Sequence, residues 1–395
     1  MKLETPRFPV IYVATKETLD ELVADLAHQE LIGLDAERAS GFRYSHRAYL
    51  VQISTRAGKN YLVDPEAFTE SEWAIKLAQA MANKTWILHA ATQDLPCLAE
   101  LGIVPTKLID TELAARLAGL ERFGLASLAE SLLDMELAKE HSAADWSQRP
   151  LPESMLNYAA LDVDILFELW DGLETLLLEQ GKLDWAYQEF DHLTHFKAKE
   201  PATEPWRHLP GMSKIKDLKK QQIAASLWEA RNRIALEKDV APGRLIPDRS
   251  IAAVVSDPPK SKSELAANKQ FQGRASRSML DVWWKAIASH KEIEIGEEPR
   301  SADFMPNHRS WEKRFPEAHQ RLSSIRPLIA SEAEELGMPV ENLLTPDTLR
   351  RVCFEPGPDV QKQLAGLGAR PWQIATCLPL IEAGLAAPAP TEASP

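Results

Sequence analysis

The segment Leu31-Ile32-Gly33-Leu34-Asp35-Ala36-Glu37 decides how the first half of this chain is read. A short apolar run ending in charge reads as a buried strand rather than a helix. Side chains at i and i+2 of a strand share a face, so Asp35 and Glu37 stand side by side at its end. Two such carboxylates repel, and the pair persists where a cation bridges it or a proton is shared. By itself the pattern also fits two carboxylates solvating the end of a strand. Around this segment, Val10–Val13, Tyr49–Ser54, Tyr61–Val63 and Trp86–Ala90 read as further strands, with a hairpin at Ala57-Gly58-Lys59-Asn60. Helical patterns cover Lys16–His28, Glu72–Met81, Asp94–Leu101, Thr111–Leu120, Leu125–Leu132 and Leu151–Gln180. Strands mixed with helices predict an α/β layer fold, its sheet covered by helices.

Two later phrases carry acidic groups in similar settings. In Leu88-His89-Ala90-Ala91-Thr92-Gln93-Asp94 the aspartate opens a helix, where the helix dipole favours it. In Tyr158-Ala159-Ala160-Leu161-Asp162 a spacing of four places phenol and carboxylate on one helical face. Capping and packing account for each taken singly. In this order, however, the three phrases resemble the tyrosine-bearing (DEDDy) branch of the DEDD 3′–5′ exonucleases, and more closely the ribonuclease D family. Asp145-Trp146-Ser147-Gln148-Arg149-Pro150-Leu151 and Asp110-Thr111-Glu112-Leu113-Ala114-Ala115-Arg116-Leu117 are also similar to phrases of that family. The likeness covers about residues 8–190.

The resemblance implies a ribonuclease H-like exonuclease domain, a mixed sheet flanked by helices. It implies two divalent cations, Mg²⁺ or Mn²⁺, held by Asp35, Glu37, Asp94 and Asp162, with Asp35 bridging them. Tyr158 would orient or deprotonate the attacking water, and orienting fits a phenol of reference pKa ~10 better. His89, Gln93 and Arg149 are candidate substrate contacts, although Arg149 also suits a brace for its own loop. Trp146 reads as core. The chain departs from the family at Ala36 and Arg38, and in the loop Ala39–Arg47 that follows them.

The stretch 196–205 reads as a linker, and helical patterns follow it. Val240-Ala241-Pro242-Gly243 and Ile246-Pro247-Asp248 are echoed by Gly337-Met338-Pro339-Val340 and Thr345-Pro346-Asp347, as in diverged copies of one unit. Trp206-Arg207, Leu227-Trp228-Glu229-Ala230-Arg231 and Asp239-Val240-Ala241-Pro242-Gly243-Arg244 resemble an HRDC domain, a small helical nucleic-acid-binding module. The expected organisation is an exonuclease domain at 1–195, the linker 196–205, an HRDC domain at 206–294, a second all-α HRDC-like domain at 304–386, and a disordered tail at 387–395. Helices are expected at Ile215–Lys238, Trp311–Leu336 and Pro371–Leu385.

Charge divides along the same line. Residues 1–200 carry 18 Lys and Arg against 33 Asp and Glu, whereas 206–294 carry 17 against 10. An acidic module still handles phosphate if its carboxylates hold cations. The basic one suits sequence-independent contact with a phosphate backbone, through Lys216, Lys219, Lys220, Arg231 and Arg244. Among 395 residues there are three cysteines, far apart, which argues against a disulfide framework and fits a reducing, cytoplasmic setting. Neither a membrane span nor a signal peptide is expected, nor an obligatory protein partner. The function expected is exonucleolytic hydrolysis at RNA 3′ ends, such as precursor tRNA tails, with release of nucleoside 5′-monophosphates. A DNA exonuclease and a non-catalytic nucleic-acid binder are the rivals.

Overall fold

The structure, a computed structural model, describes residues 1–137, 144–200, 202–296 and 304–386. The expected tail and Pro201 of the expected linker lie outside the described residues. The strands are β1 (Lys2–Leu3), β2 (Val10–Val13), β3 (Leu31–Arg38), β4 (Ala48–Thr55), β5 (Lys59–Val63), β6 (Thr85–Leu88), β7 (Lys107–Asp110) and β8 (Glu136–Leu137). Six of them form one mixed sheet in the order β2-β5-β4-β3-β6-β7. β3, β4 and β5 pair antiparallel; β2 joins β5 in parallel, and β6 and β7 continue in parallel beyond β3. β4 is buried along its whole length, as a central strand covered on both faces must be.

The structure departs from the sequence reading at several points. β7 was not anticipated, because four residues are too few to show a period. The pattern at Leu151–Gln180 is two helices, Glu153–Asp164 and Leu166–Glu179, broken at Ile165. The carbonyls at the break are claimed by distant side chains: Ser54 Oγ donates to Val163 O at 2.8 Å, and Arg7 donates to Asp164 O at 2.5 Å. Side chains inserted into the helical ladder interrupt it. Gly33 lies against this break, where a Cβ would stand 2.2 Å from Ser54 Oγ, so β3 needs glycine there. Similarly, Trp311–Leu336 is interrupted at Phe315, since a residue before proline is pushed out of the helical region.

The two C-terminal units repeat one helical order. Leu218–Lys238, Pro242–Leu245 and Asp248–Ser256 correspond to Pro316–Glu335, Val340–Leu343 and Pro346–Phe354, a long helix, a single turn and a nine-residue helix each time. Their cores differ. The first unit has its own, built from Trp206, Ile223, Leu227, Ile251, Phe271 and Trp283. In the second, Trp311, Ile325, Val352, Trp372 and Ile381 belong to the same continuous cluster as Ile32, Leu34 and Ile87 of the sheet. Cys97, Cys353 and Cys377 are buried and free.

Candidate active site

β3 delivers Asp35 and Glu37, and its register shifts between Glu37 and Arg38. Such a bulge ends strand pairing and re-aims the chain, and the loop Ala39–Arg47 leaves from it. Asp94 precedes the Leu95–Glu100 helix and is buried. Tyr158 and Asp162 stand one turn apart on the Glu153–Asp164 helix. All five line a single cleft of about 640 Å³, together with Arg38, Ser40, His89, Gln93 and Glu112.

Carboxylate oxygens of Asp35, Glu37 and Asp162 lie within 4.8 Å of one another. Asp94 lies beside Asp35, close enough for the two carboxyls to share a proton. Burial pushes Asp35 up to about 6. Burial first, and then the charge of Asp35, drives Glu37, Asp94 and Asp162 well above the usual carboxylate range. At 4.8 Å each ionised pair repels by about 3–4 kcal/mol at an effective dielectric near 20. A cation entering this cage displaces protons, and it relieves the repulsion that raises them. The donors are hard oxygens, the set suited to Mg²⁺ or Mn²⁺ rather than to a thiophilic ion. Burial and the neighbouring Asp162, Glu37 and Asp35 raise the Tyr158 phenol. The buried Trp146 packs on the Tyr158 ring, centroids 6.3 Å apart.

Two residues that sequence reasoning did not single out shape the turn between β6 and Asp94. The buried Asp110 accepts from Ala90 N at 3.1 Å and Ala91 N at 2.8 Å, and it caps the next helix through Leu113 N. These bonds hold Ala90 at φ 58°, a left-handed conformation unusual for alanine. Thr111 bonds to His89. An Asp-Thr pair before a helix is a capping signal, but the second contact of each residue is tertiary.

His89 and Gln93 line the cleft. Arg149 does not face it. Its guanidinium donates to both carboxylate oxygens of Asp64 and to the carbonyls of Tyr49, Trp146 and Gln148, so it braces the loop instead. Among the basic residues of 206–294, Arg231 is buried and spent on Asp248 and the Ile246 carbonyl. Arg244 donates to Gly41 O at 2.6 Å and lies over the Phe42 ring. Neither is placed as a free phosphate ligand. Lys220 reaches the Ser256 carbonyl, while Lys216 and Lys219 are exposed.

Protein-family models match residues 10–178 as 3′-5′ exonuclease and 220–287 as HRDC domain. Residues 305–385, where a second HRDC-like domain was expected, match under another description, 3′ to 5′ exonuclease C-terminal domain. Fold, cleft and matches together define a 3′–5′ exonuclease with a nucleic-acid-binding HRDC domain joined to it. The chain is 30% identical over 322 residues to the ribonuclease D of Acidiphilium cryptum, covering 76% of this chain and 78% of that one. It belongs to the ribonuclease D family and is a 3′–5′ exoribonuclease, a hydrolase. A protein from Bifidobacterium adolescentis of known structure shares 34% identity and superposes with a TM-score of 0.88, covering 98% of this chain and 99% of that one. Escherichia coli RNase D, 22% identical, has the same fold at a TM-score of 0.69, over 95% of this chain and 98% of its own. No described helix is long and apolar enough to cross a membrane.

Proposed function

We propose that this enzyme removes nucleoside 5′-monophosphates one at a time from RNA 3′ ends, precursor tRNA tails among them, using two divalent cations, Mg²⁺ or Mn²⁺. The carrying observation is the half-buried cluster of Asp35, Glu37 and Asp162 oxygens within 4.8 Å, with Asp94 beside Asp35. Bound there, such ions supply activation of water and neutralisation of the departing 3′ oxygen. Asp35, beside Glu37, Asp162 and Asp94, would be the ligand shared by both ions. Glu37 and Asp162 would hold the ion that activates the water, and Asp94 would hold the other. Tyr158, one helical turn from Asp162, orients the attacking water. Water adds to phosphorus, the bond to the 3′ oxygen breaks, and that oxygen takes up a proton.

Lys216 and Lys219, exposed on the basic unit, support backbone contact by the HRDC domain. The same reading keeps the limits 1–195, 206–294 and 304–386 as the working parts of the chain. The test is digestion of a 5′-labelled, 3′-extended tRNA with Mg²⁺ or Mn²⁺. Asp35→Asn and Asp162→Asn should abolish stepwise shortening while RNA binding survives, and EDTA should do the same to the wild type. Near-normal turnover in either variant rejects the assignment. A parallel digestion of single-stranded DNA separates the two substrates.

A further inference from the structure

His89 follows β6 on the wall of the cleft, five residues before Asp94. Its Nδ1 lies 2.9 Å from Thr111 Oγ1. That hydroxyl has a single proton, and it is 3.1 Å from the Leu88 carbonyl, which can only accept. Thr111 therefore accepts from the imidazole. The His89 proton sits on Nδ1, and Nε2 carries a lone pair. His89 is half-buried and lines the cleft, with Nδ1 turned to Thr111, which leaves Nε2 as the ring nitrogen available to a ligand there. Burial holds His89 down to about 4, so it stays neutral under ordinary conditions.

A neutral acceptor does not hold a phosphate oxygen, itself an acceptor. Nor does His89 join the carboxylates: among the described residues, only Asp35, Glu37 and Asp162 bring ligand atoms together. What Nε2 needs is a donor. Stepwise removal presents every base in turn, and base donors differ from one base to the next. The donors present on every ribonucleotide at a 3′ end are the ribose hydroxyls.

We propose that His89 Nε2, oriented by Thr111, accepts a hydrogen bond from a hydroxyl of the 3′-terminal ribose and so reads the sugar of the nucleotide being removed. This rests on the exonuclease reading above.

The experiment uses the full-length enzyme with Mn²⁺ in single-turnover digestion. Three oligoribonucleotides differ only at the 3′-terminal nucleotide, which is ribose, 2′-deoxy or 3′-deoxy. Wild type should remove one of the two deoxy nucleotides about tenfold more slowly, the effect of one lost neutral hydrogen bond. The arm that slows identifies the hydroxyl. His89→Phe should remove ribose and deoxy ends at one common, reduced rate. Thr111→Val, which frees the imidazole to take either tautomer, should show part of the discrimination. Full discrimination retained in His89→Phe overturns the proposal. If His89→Phe does not give a cooperative melting curve, Thr111→Val decides: reduced discrimination supports the proposal, and unchanged discrimination overturns it. An active wild type indifferent to both deoxy ends overturns this proposal and leaves the exonuclease assignment standing; an inactive wild type overturns both.

Discussion

The 304–386 unit meets the exonuclease domain through buried aromatic and apolar surface, whereas the HRDC unit meets it through one polar loop. On the first side Trp372 stacks on Trp185, centroids 4.7 Å apart and 11° from parallel. Glu189 accepts from both Trp372 Nε1 and Arg370, and Lys182 donates to the carbonyls of Leu117 and Leu336. On the second side Asp239 accepts from Tyr44 N, Ser45 N and the Tyr49 hydroxyl. Ala241 N bonds to Phe42 O, and Tyr44 packs against the HRDC core. Two units with the same helical order are thus joined in opposite ways. One shares a continuous core with the sheet and should unfold with it. The other grips residues 41–45, in the loop that leaves β3 just after Glu37, and leaves its own core separate. Sequence similarity between helical repeats therefore says little about how each is anchored.

The largest expected effect falls on the shared core. Trp372 is 4% exposed, and Trp372→Ala should cost about 3–5 kcal/mol by guanidinium denaturation. Glu189→Ala strands the Arg370 guanidinium and the indole N–H in a largely buried site and should cost a similar ~3–5 kcal/mol. The two changes share partners, so their sum should fall short of additive. Either variant should lower the single transition of exonuclease domain plus 304–386 while the HRDC transition stays in place. Equal shifts of both transitions would remove the contrast between the two attachments.

A smaller effect is expected at the polar loop. Asp239 is only partly buried, so solvent screening limits Asp239→Ala to about 1–2 kcal/mol of docking. Amide exchange at residues 42–47 should rise while the main melting transition barely moves. The same contact predicts a pH dependence. Burial works to raise Asp239, but bonds from Ser45, Tyr49 and Tyr44 outweigh it and hold the carboxyl below its ordinary value. A depressed folded-state value means that docking gains from ionisation above the unfolded value, near ~3.9, and loses that gain as pH falls through the folded one. Exchange in the 42–47 loop should therefore accelerate in acid for the wild type. In Asp239→Asn it should already be fast at neutral pH and should show no such acid step; an identical acid step in that variant would assign the titration elsewhere.

What was legible in the sequence follows the range of the forces involved. The period of two in Leu31–Glu37 set Asp35 and Glu37 on one face, and the structure keeps them there because that relation is local. The approach of Asp94 and Asp162 is long-range and came only through likeness to a family. The break at Ile165 depends on Ser54 and Arg7, which no helical period registers. The cationic residues fared worst. Arg231 and Arg244 read as phosphate ligands, and Arg149 as either a substrate contact or a brace, because charge is visible in a sequence and a partner is not. The partner of Arg149, Asp64, lies 85 residues away, and that of Arg244 is a backbone carbonyl 203 residues away. Among the described residues Lys216 and Lys219 have no such hidden partner, and both are exposed.

The smallest effect tests whether that surface, and not the docked loop, is what the HRDC unit offers to RNA. Each phosphate contact removed should reduce the slope of log affinity against log salt by about 0.7 for single strands. Lys216→Glu and Lys219→Glu should each lower the slope by about that amount and weaken binding to all sequences alike, measured by fluorescence anisotropy on a labelled RNA. Arg231→Met should leave the slope unchanged and lower the stability of the HRDC core instead, because that guanidinium is bound to Asp248 and Ile246 inside it. Arg244→Met should also leave the slope unchanged and loosen the Gly41–Phe42 contact. If Arg244→Met changes the slope and the lysine variants do not, the HRDC surface that meets RNA is the one buried here against the exonuclease domain, and the unit must undock to bind.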